Sequence, residues 1–130
     1  MTRDRRPPAK RGRRSVTWKA VREAARSLPG VDDGLSYGTP ALFVRKKLLA
    51  RLREDGESIA VRTDPYSREF LLRADAGMYF LTDHYRDYPW ILVRLAGARL
   101  EPLGELLEAG WRQLATKRAI AEYDGRQGAG

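Results

Sequence analysis

The stretch Lys47–Thr63, KLLARLREDGESIAVRT, decides the fold class. Two runs rich in apolar and β-branched residues flank Asp55-Gly56, a dipeptide that favours the positive φ of a tight hairpin turn. Side chains alternate across a strand. Alternation therefore sends Leu48, Ala50 and Leu52 to one face and Lys47, Leu49, Arg51 and Arg53 to the other. In the second run Ile59 and Val61 are expected in the core, with Ala60 and Arg62 outside. This is a sheet with one apolar and one polar face.

Outward from the hairpin, the remaining elements fall into place. Upstream, Tyr37 and Ala41–Val44 read as a strand, interrupted by Gly38-Thr39-Pro40. Val31-Asp32-Asp33-Gly34 before it reads as a turn-rich link. A first helix is expected from Thr17 to Leu28, with Thr17 as cap and Trp18, Val21, Ala25 and Leu28 on one face. Pro29-Gly30 stops it. Downstream, Asp64-Pro65 is a helix start, with proline in the first turn where its missing N–H is not needed. That helix runs to Ala74, and Gly77 ends it. Met78–Thr82 and Trp90–Leu95 read as strands. A helix from Glu101-Pro102 buries Leu103, Leu107, Trp111 and Leu114, and a short helix covers Thr116–Tyr123. The expected order is α-β-β-β-α-β-β-α. The fold class is α+β, a single mostly antiparallel sheet with helices packed on one face.

Charge is unevenly distributed. Residues 1–14 hold seven basic residues against Asp4 alone, +6 of the +8 net charge. This Arg/Lys/Pro-rich segment has too little apolar surface to offset the entropy of ordering, so a disordered tail is expected. The folded domain is expected over 15–124, with a flexible end over 125–130. The chain has 130 residues and no cysteine, which excludes disulfides, thiolate metal sites and cysteine nucleophiles. No apolar run reaches the roughly 18 residues of a membrane span, and no apolar stretch follows the first basic residues as in a secretory signal. A cytoplasmic monomer without membrane attachment is the expectation.

Catalytic motifs fail on context. Gly34-Leu35-Ser36-Tyr37-Gly38 matches the spacing of a nucleophile elbow, and His84 follows it. That elbow requires a buried strand before it and a helix after it, whereas a turn and Thr39-Pro40 stand here. His84 is the single histidine; zinc usually takes three or four His, Cys or carboxylate ligands, and only Asp83 and Asp87 stand near it. No catalytic residue, metal site or cofactor is expected. Tyr37, His84, Tyr85, Tyr88 and Trp90 are candidates for a loop-lined pocket. The stronger signal is cationic. Lys47, Arg51, Arg53 and Arg62 share one expected hairpin face, Arg45 and Lys46 extend it, and Arg86 lies in the loop before Trp90. Guanidinium and ammonium groups suit a phosphate backbone. The expectation is a non-enzymatic DNA-binding protein, with the Arg-rich tail adding affinity. The alternative is a protein-interaction module using the open sheet face or the Tyr85–Trp90 loop, with Leu49 as an exposed apolar contact.

Three blocks then carry a likeness: Leu28-Pro29-Gly30-Val31, Ser36-Tyr37-Gly38-Thr39-Pro40-Ala41 and Thr82-Asp83-His84-Tyr85-Arg86-Asp87-Tyr88-Pro89-Trp90. With the Leu48–Arg53 strand, Trp111 and Thr116-Lys117-Arg118, they resemble the MmcQ/YjbR family over Thr17 to Ala121. The resemblance implies a CyaY-like fold, related in shape to frataxin, and a DNA-binding role through a double-wing arrangement. It implies no enzyme activity and no cofactor. Iron handling of the frataxin kind would want an acidic first helix, and Glu23 here is outnumbered by Lys19, Arg22 and Arg26.

Overall fold

In a computed structural model describing residues 16–129, helices α1 (Trp18–Ala25), α2 (Pro65–Ala74), α3 (Leu100–Leu114) and α4 (Lys117–Ala129) accompany six strands. These are β1 (Val31–Ser36), β2 (Thr39–Val44), β3 (Lys47–Leu52), β4 (Ser58–Arg62), β5 (Tyr79–Phe80) and β6 (Trp90–Arg94). They form one antiparallel sheet in the order β1-β2-β3-β4-β6-β5. The α+β class and the general run of elements match the sequence reading. Residues 1–14 lie outside the described residues.

Three elements differ. The link at Val31–Gly34 is a full edge strand, β1, paired with β2 from Val31↔Val44 to Ser36↔Thr39. Its acids hid it, because Asp and Asn are depleted in strands. Here Asp32 and Asp33 are exposed, and Asp33 receives Arg22 from α1 at 2.9 Å. The β1–β2 turn places Tyr37 and Gly38 at φ +53° and +81°, the hairpin geometry that matches strand twist. Strand β5 is shorter than Met78–Thr82. Helix α4 continues past Tyr123 to Ala129, so residues 125–129 extend a helix rather than form a separate tail. Arg112 bonds both Glu108 and Asp124, and Tyr123 packs on Trp111 with ring centroids 5.1 Å apart. Once these contacts hold the helix, each added residue gains a hydrogen bond without a new nucleation cost.

The register of β3 is the more consequential departure. Leu42 pairs with Ala50 but Phe43 with Leu48, so Leu49 is an extra residue, a β-bulge. The bulge breaks strict alternation. Leu49 and Ala50 are both fully buried. Leu49 therefore joins the helix-side core rather than the opposite face, and it offers no exposed apolar contact. Helix α3 crosses above it at Gly110, where a Cβ would meet Leu49 Cδ1 and the Arg62 carbonyl oxygen, each at 2.9 Å. Trp111, buried beside it, donates its indole N–H to the Pro29 carbonyl at 2.8 Å and ties α3 to the end of α1.

Two glycines of one helix thus have opposite expectations. At Gly104 a Cβ meets nothing within 4 Å, so Gly104→Ala is expected to stabilise by about 0.5–1 kcal/mol. Gly110→Ala is expected to destabilise by about 1–3 kcal/mol despite the same propensity gain, because sheet and helix must separate. Urea unfolding of both variants checks the pair. A second expectation concerns Asp64, whose carboxylate accepts from the Ser67 N–H at 2.9 Å and caps α2. These hydrogen bonds hold its pKa below the usual carboxylate value. Asp64→Ala should cost about 1 kcal/mol at neutral pH. A lowered folded pKa means the cap's contribution is present above the unfolded value and is lost as pH falls through the folded one. The stability gap between Asp64→Ala and the parent should therefore close on acidification, read from Tm against pH.

Candidate nucleic-acid interface

The helix-free face of the sheet is not an open polar surface. Its central row, Ala41↔Arg51↔Ala60↔Leu92, is buried throughout. Ala60, expected outside, is 1% exposed. The small side chains beside Arg51 leave room for its guanidinium to lie over the sheet, and Arg51 is 6% exposed. It donates to Glu54 at 2.7 Å, Thr39 Oγ1 at 3.2 Å and the Tyr85 hydroxyl at 3.3 Å, with the Tyr37 ring 5.5 Å away. In return, the bond from Arg51 lowers the pKa of Glu54. Arg53 lies near the rings of Phe80 and Tyr85 at 5.8 and 5.4 Å, and donates to Ser58 at 2.9 Å. Arg94 stacks on the other part of this layer, 4.3 Å from the Phe80 ring. Guanidinium planes and aromatic faces cover the sheet where a second helix layer would otherwise sit.

The cations expected to form one accessible stripe are thus divided. Arg51 and Arg53 belong to this covering layer. Arg62 donates to the Leu48 carbonyl at 2.9 Å and lies 4.9 Å from the Trp90 ring, and partial burial lowers its pKa. Arg86 pairs with Asp83 at 2.7 Å, which raises its pKa, although its side chain remains exposed. Lys47 alone of the five is exposed without an ion pair to a described residue. The open-stripe geometry is corrected: a guanidinium two residues along a strand finds neighbouring carboxylates, carbonyls and rings that alternation alone does not reveal.

The loop candidates are held in a specific arrangement. Asp83–Tyr85 makes one 3-10 turn. Arg68 of α2 then donates to the carbonyls of Arg86, Tyr88, Trp90 and Tyr85, at 2.8, 2.7, 3.2 and 3.4 Å. One side chain thereby fixes the loop that brings Tyr85 over Arg51. His84 meets Tyr85 edge-on with centroids 5.1 Å apart, and Tyr88 lies beside it at 6.4 Å. Tyr37 and Tyr85 both reach Arg51, which stands between them rather than a cavity. Trp90 is half-buried under Arg62. Among the described residues no cluster of three His, Cys, Asp or Glu side chains could hold a metal, and no helix is long and apolar enough to cross a membrane.

A different cationic group comes together at the opposite end of β2. The β2–β3 connection is Arg45-Lys46, followed by Lys47, and all three are exposed. Arg45 and Lys46 have φ of +52° and +68°, a left-handed conformation that L side chains adopt at a cost of about 1 kcal/mol each. Arg45 donates to the Leu114 carbonyl at 3.4 Å, at the C-terminus of α3. The tip is thereby set near the start of α4, where Lys117 and Arg118 are exposed. The sequence showed the run Arg45-Lys46-Lys47 but not this conformation, because the turn lacks the Asn-Gly chemistry that announces it.

This chain resembles proteins of known sequence and of known structure. The uncharacterized proteins Rv2570 of Mycobacterium tuberculosis and Mb2600 of Mycobacterium bovis are each 36% identical to it over 69 residues. That match covers 52% of this chain and 54% of theirs, so the match spans about half the length of these relatives. The crystal structure of Deinococcus radiodurans protein DR2400, with domain DUF419, superposes with a TM-score of 0.66 at 21% identity. It covers 85% of this chain and 89% of that one, a likeness of fold. The YjbR family model matches residues 26–113, from the end of α1 through the sheet to α3, and the chain belongs to the YjbR family.

Proposed function

We propose that this protein is a non-enzymatic nucleic-acid binder, and that the β2–β3 tip makes its principal backbone contacts. The observation that carries the reading is the tip itself. Arg45, Lys46 and Lys47 are exposed together at a tight turn, with Arg45 also donating to the Leu114 carbonyl, and none of them has an ion pair with a described residue. Arg45 and Lys46 hold a left-handed conformation that a glycine or asparagine would adopt more easily. Strain retained at exposed cations is consistent with selection for charge at that point rather than for turn stability. Lys117 stands exposed at the start of α4, while Arg118 beside it is paired with Glu122 at 3.2 Å, and the Arg-rich segment 1–14 supplies further charge.

A second reading, a protein-interaction module, draws support from the opposite end of β2. Leu35, 71% exposed, lies on the edge strand β1, whose outer side is unpaired in the sheet, and Tyr37, 88% exposed, stands in the turn that follows it. Edge pairing with a partner strand is the mode this geometry suits.

Two variants separate charge from stability. Lys46→Gly should raise stability by about 0.5–1 kcal/mol, by relieving the left-handed lysine. It should also weaken duplex binding and lower the slope of log K against log salt by about 0.9. Arg51→Ala should do the reverse. It should cost about 2 kcal/mol of stability through lost charged hydrogen bonds and packing, with the salt slope unchanged. Fluorescence anisotropy with a DNA duplex, beside urea unfolding, reads both. A salt slope that falls with Arg51→Ala and not with Lys46→Gly would refute the assignment to the tip.

A further inference from the structure

On the helix side of the sheet, α2 and α3 diverge over β5 and leave a groove of about 400 Å³, within the range of small-molecule sites. Tyr66 and Phe70 from α2 and Glu105 from α3 line it, over Tyr79. Tyr66 and Phe70 are 90% and 68% exposed, two large rings on adjacent turns of a helix with no fully buried residue. Tyr79 is the reverse, 3% exposed, and its hydroxyl has no hydrogen-bond partner.

The electrostatics of the groove set it apart. The chain carries 25 Lys and Arg residues, yet no basic residue lines this groove. Glu105 does line it, and makes no ion pair or side-chain hydrogen bond with a described residue. Arg99, whose charge reaches the Tyr79 hydroxyl, is occupied by Asp75 at 3.1 Å. Aromatic faces and a carboxylate free of described partners together complement one chemical class. We propose that the α2–α3 groove binds a small organic cation, an ammonium group carried on an apolar or aromatic body. Glu105 would supply the counter-charge. Tyr66 and Phe70 would hold the cation by their ring faces and the apolar body by contact.

The site is separate from the β2–β3 tip, so the nucleic-acid reading can fail without affecting it. The test uses the full chain labelled with ¹⁵N, titrated with phenethylamine at neutral pH and, in parallel, with its uncharged analogue 2-phenylethanol. Phenethylamine should shift amide resonances of α2 and of the first two turns of α3, and 2-phenylethanol should bind at least about tenfold more weakly. Glu105→Gln should reduce the amine to the affinity of the alcohol. Phe70→Ala removes one exposed ring from the groove and should also weaken the amine. Equal affinity for amine and alcohol, or Glu105→Gln and Phe70→Ala proteins that bind the amine as the parent does, would overturn the proposal. So would the absence of groove shifts at millimolar amine.

Discussion

A guanidinium laid flat over a sheet is the interaction on which the architecture depends. Helices cover only one face of these six strands, and the row Ala41, Arg51, Ala60 and Leu92 on the other face would otherwise expose an apolar stripe. Arg51 closes it, bonded to Glu54, Thr39 and Tyr85 and flanked by Tyr37. A buried charge is tolerable when most of its donors find well-placed partners, and here both terminal nitrogens of Arg51 do while its buried Nε has none. Four of those contacts come from three separate segments: the β1–β2 hairpin, the β3–β4 turn and the loop before β6. The charge thereby ties together parts of the chain that share no backbone hydrogen bonds with one another. Arg68 does comparable work on the loop, holding four carbonyls that would otherwise need water.

The helix side rests on a different constraint. The extra residue in β3 pushes Leu49 toward α3, and Gly110 is the point where α3 yields room for it. With Trp111 anchored to Pro29, this contact fixes the height and direction of α3 over the sheet. The end of α3 then receives Arg45 from the β2–β3 turn. The cationic tip is therefore oriented by the same helix that the bulge positions, and the divergence of α2 from that helix opens the aromatic groove.

The two surfaces differ in kind. One is a strained, exposed turn of three basic residues suited to a polyanion. The other lacks basic residues and offers rings and a carboxylate. Family membership and the likeness to the Deinococcus protein describe the scaffold that carries both. Scaffold likeness leaves the chemistry to the side chains, because one fold supports many sites.

Much of the fold was legible in the order of residues alone. Period-two runs and Asp55-Gly56 defined the central hairpin, Asp64-Pro65 marked α2, and Pro29-Gly30 ended α1. These signals are local, each set by the conformational preferences of a few neighbouring residues. Strand β1 was hidden because its acids disfavour a strand in isolation, and only pairing with β2 and the bond from Arg22 to Asp33 make it one. Leu49 was misplaced because a bulge is a property of two strands in register, not of one sequence. The same holds for the arginines: composition gave their number and alternation their nominal face. Whether a guanidinium meets phosphate, carboxylate or ring depends on which distant segments arrive beside it. Residue order determined the elements and the charge available. Tertiary packing decided which charges stay free, because a long flexible cation is claimed by the first acceptors the fold brings within reach.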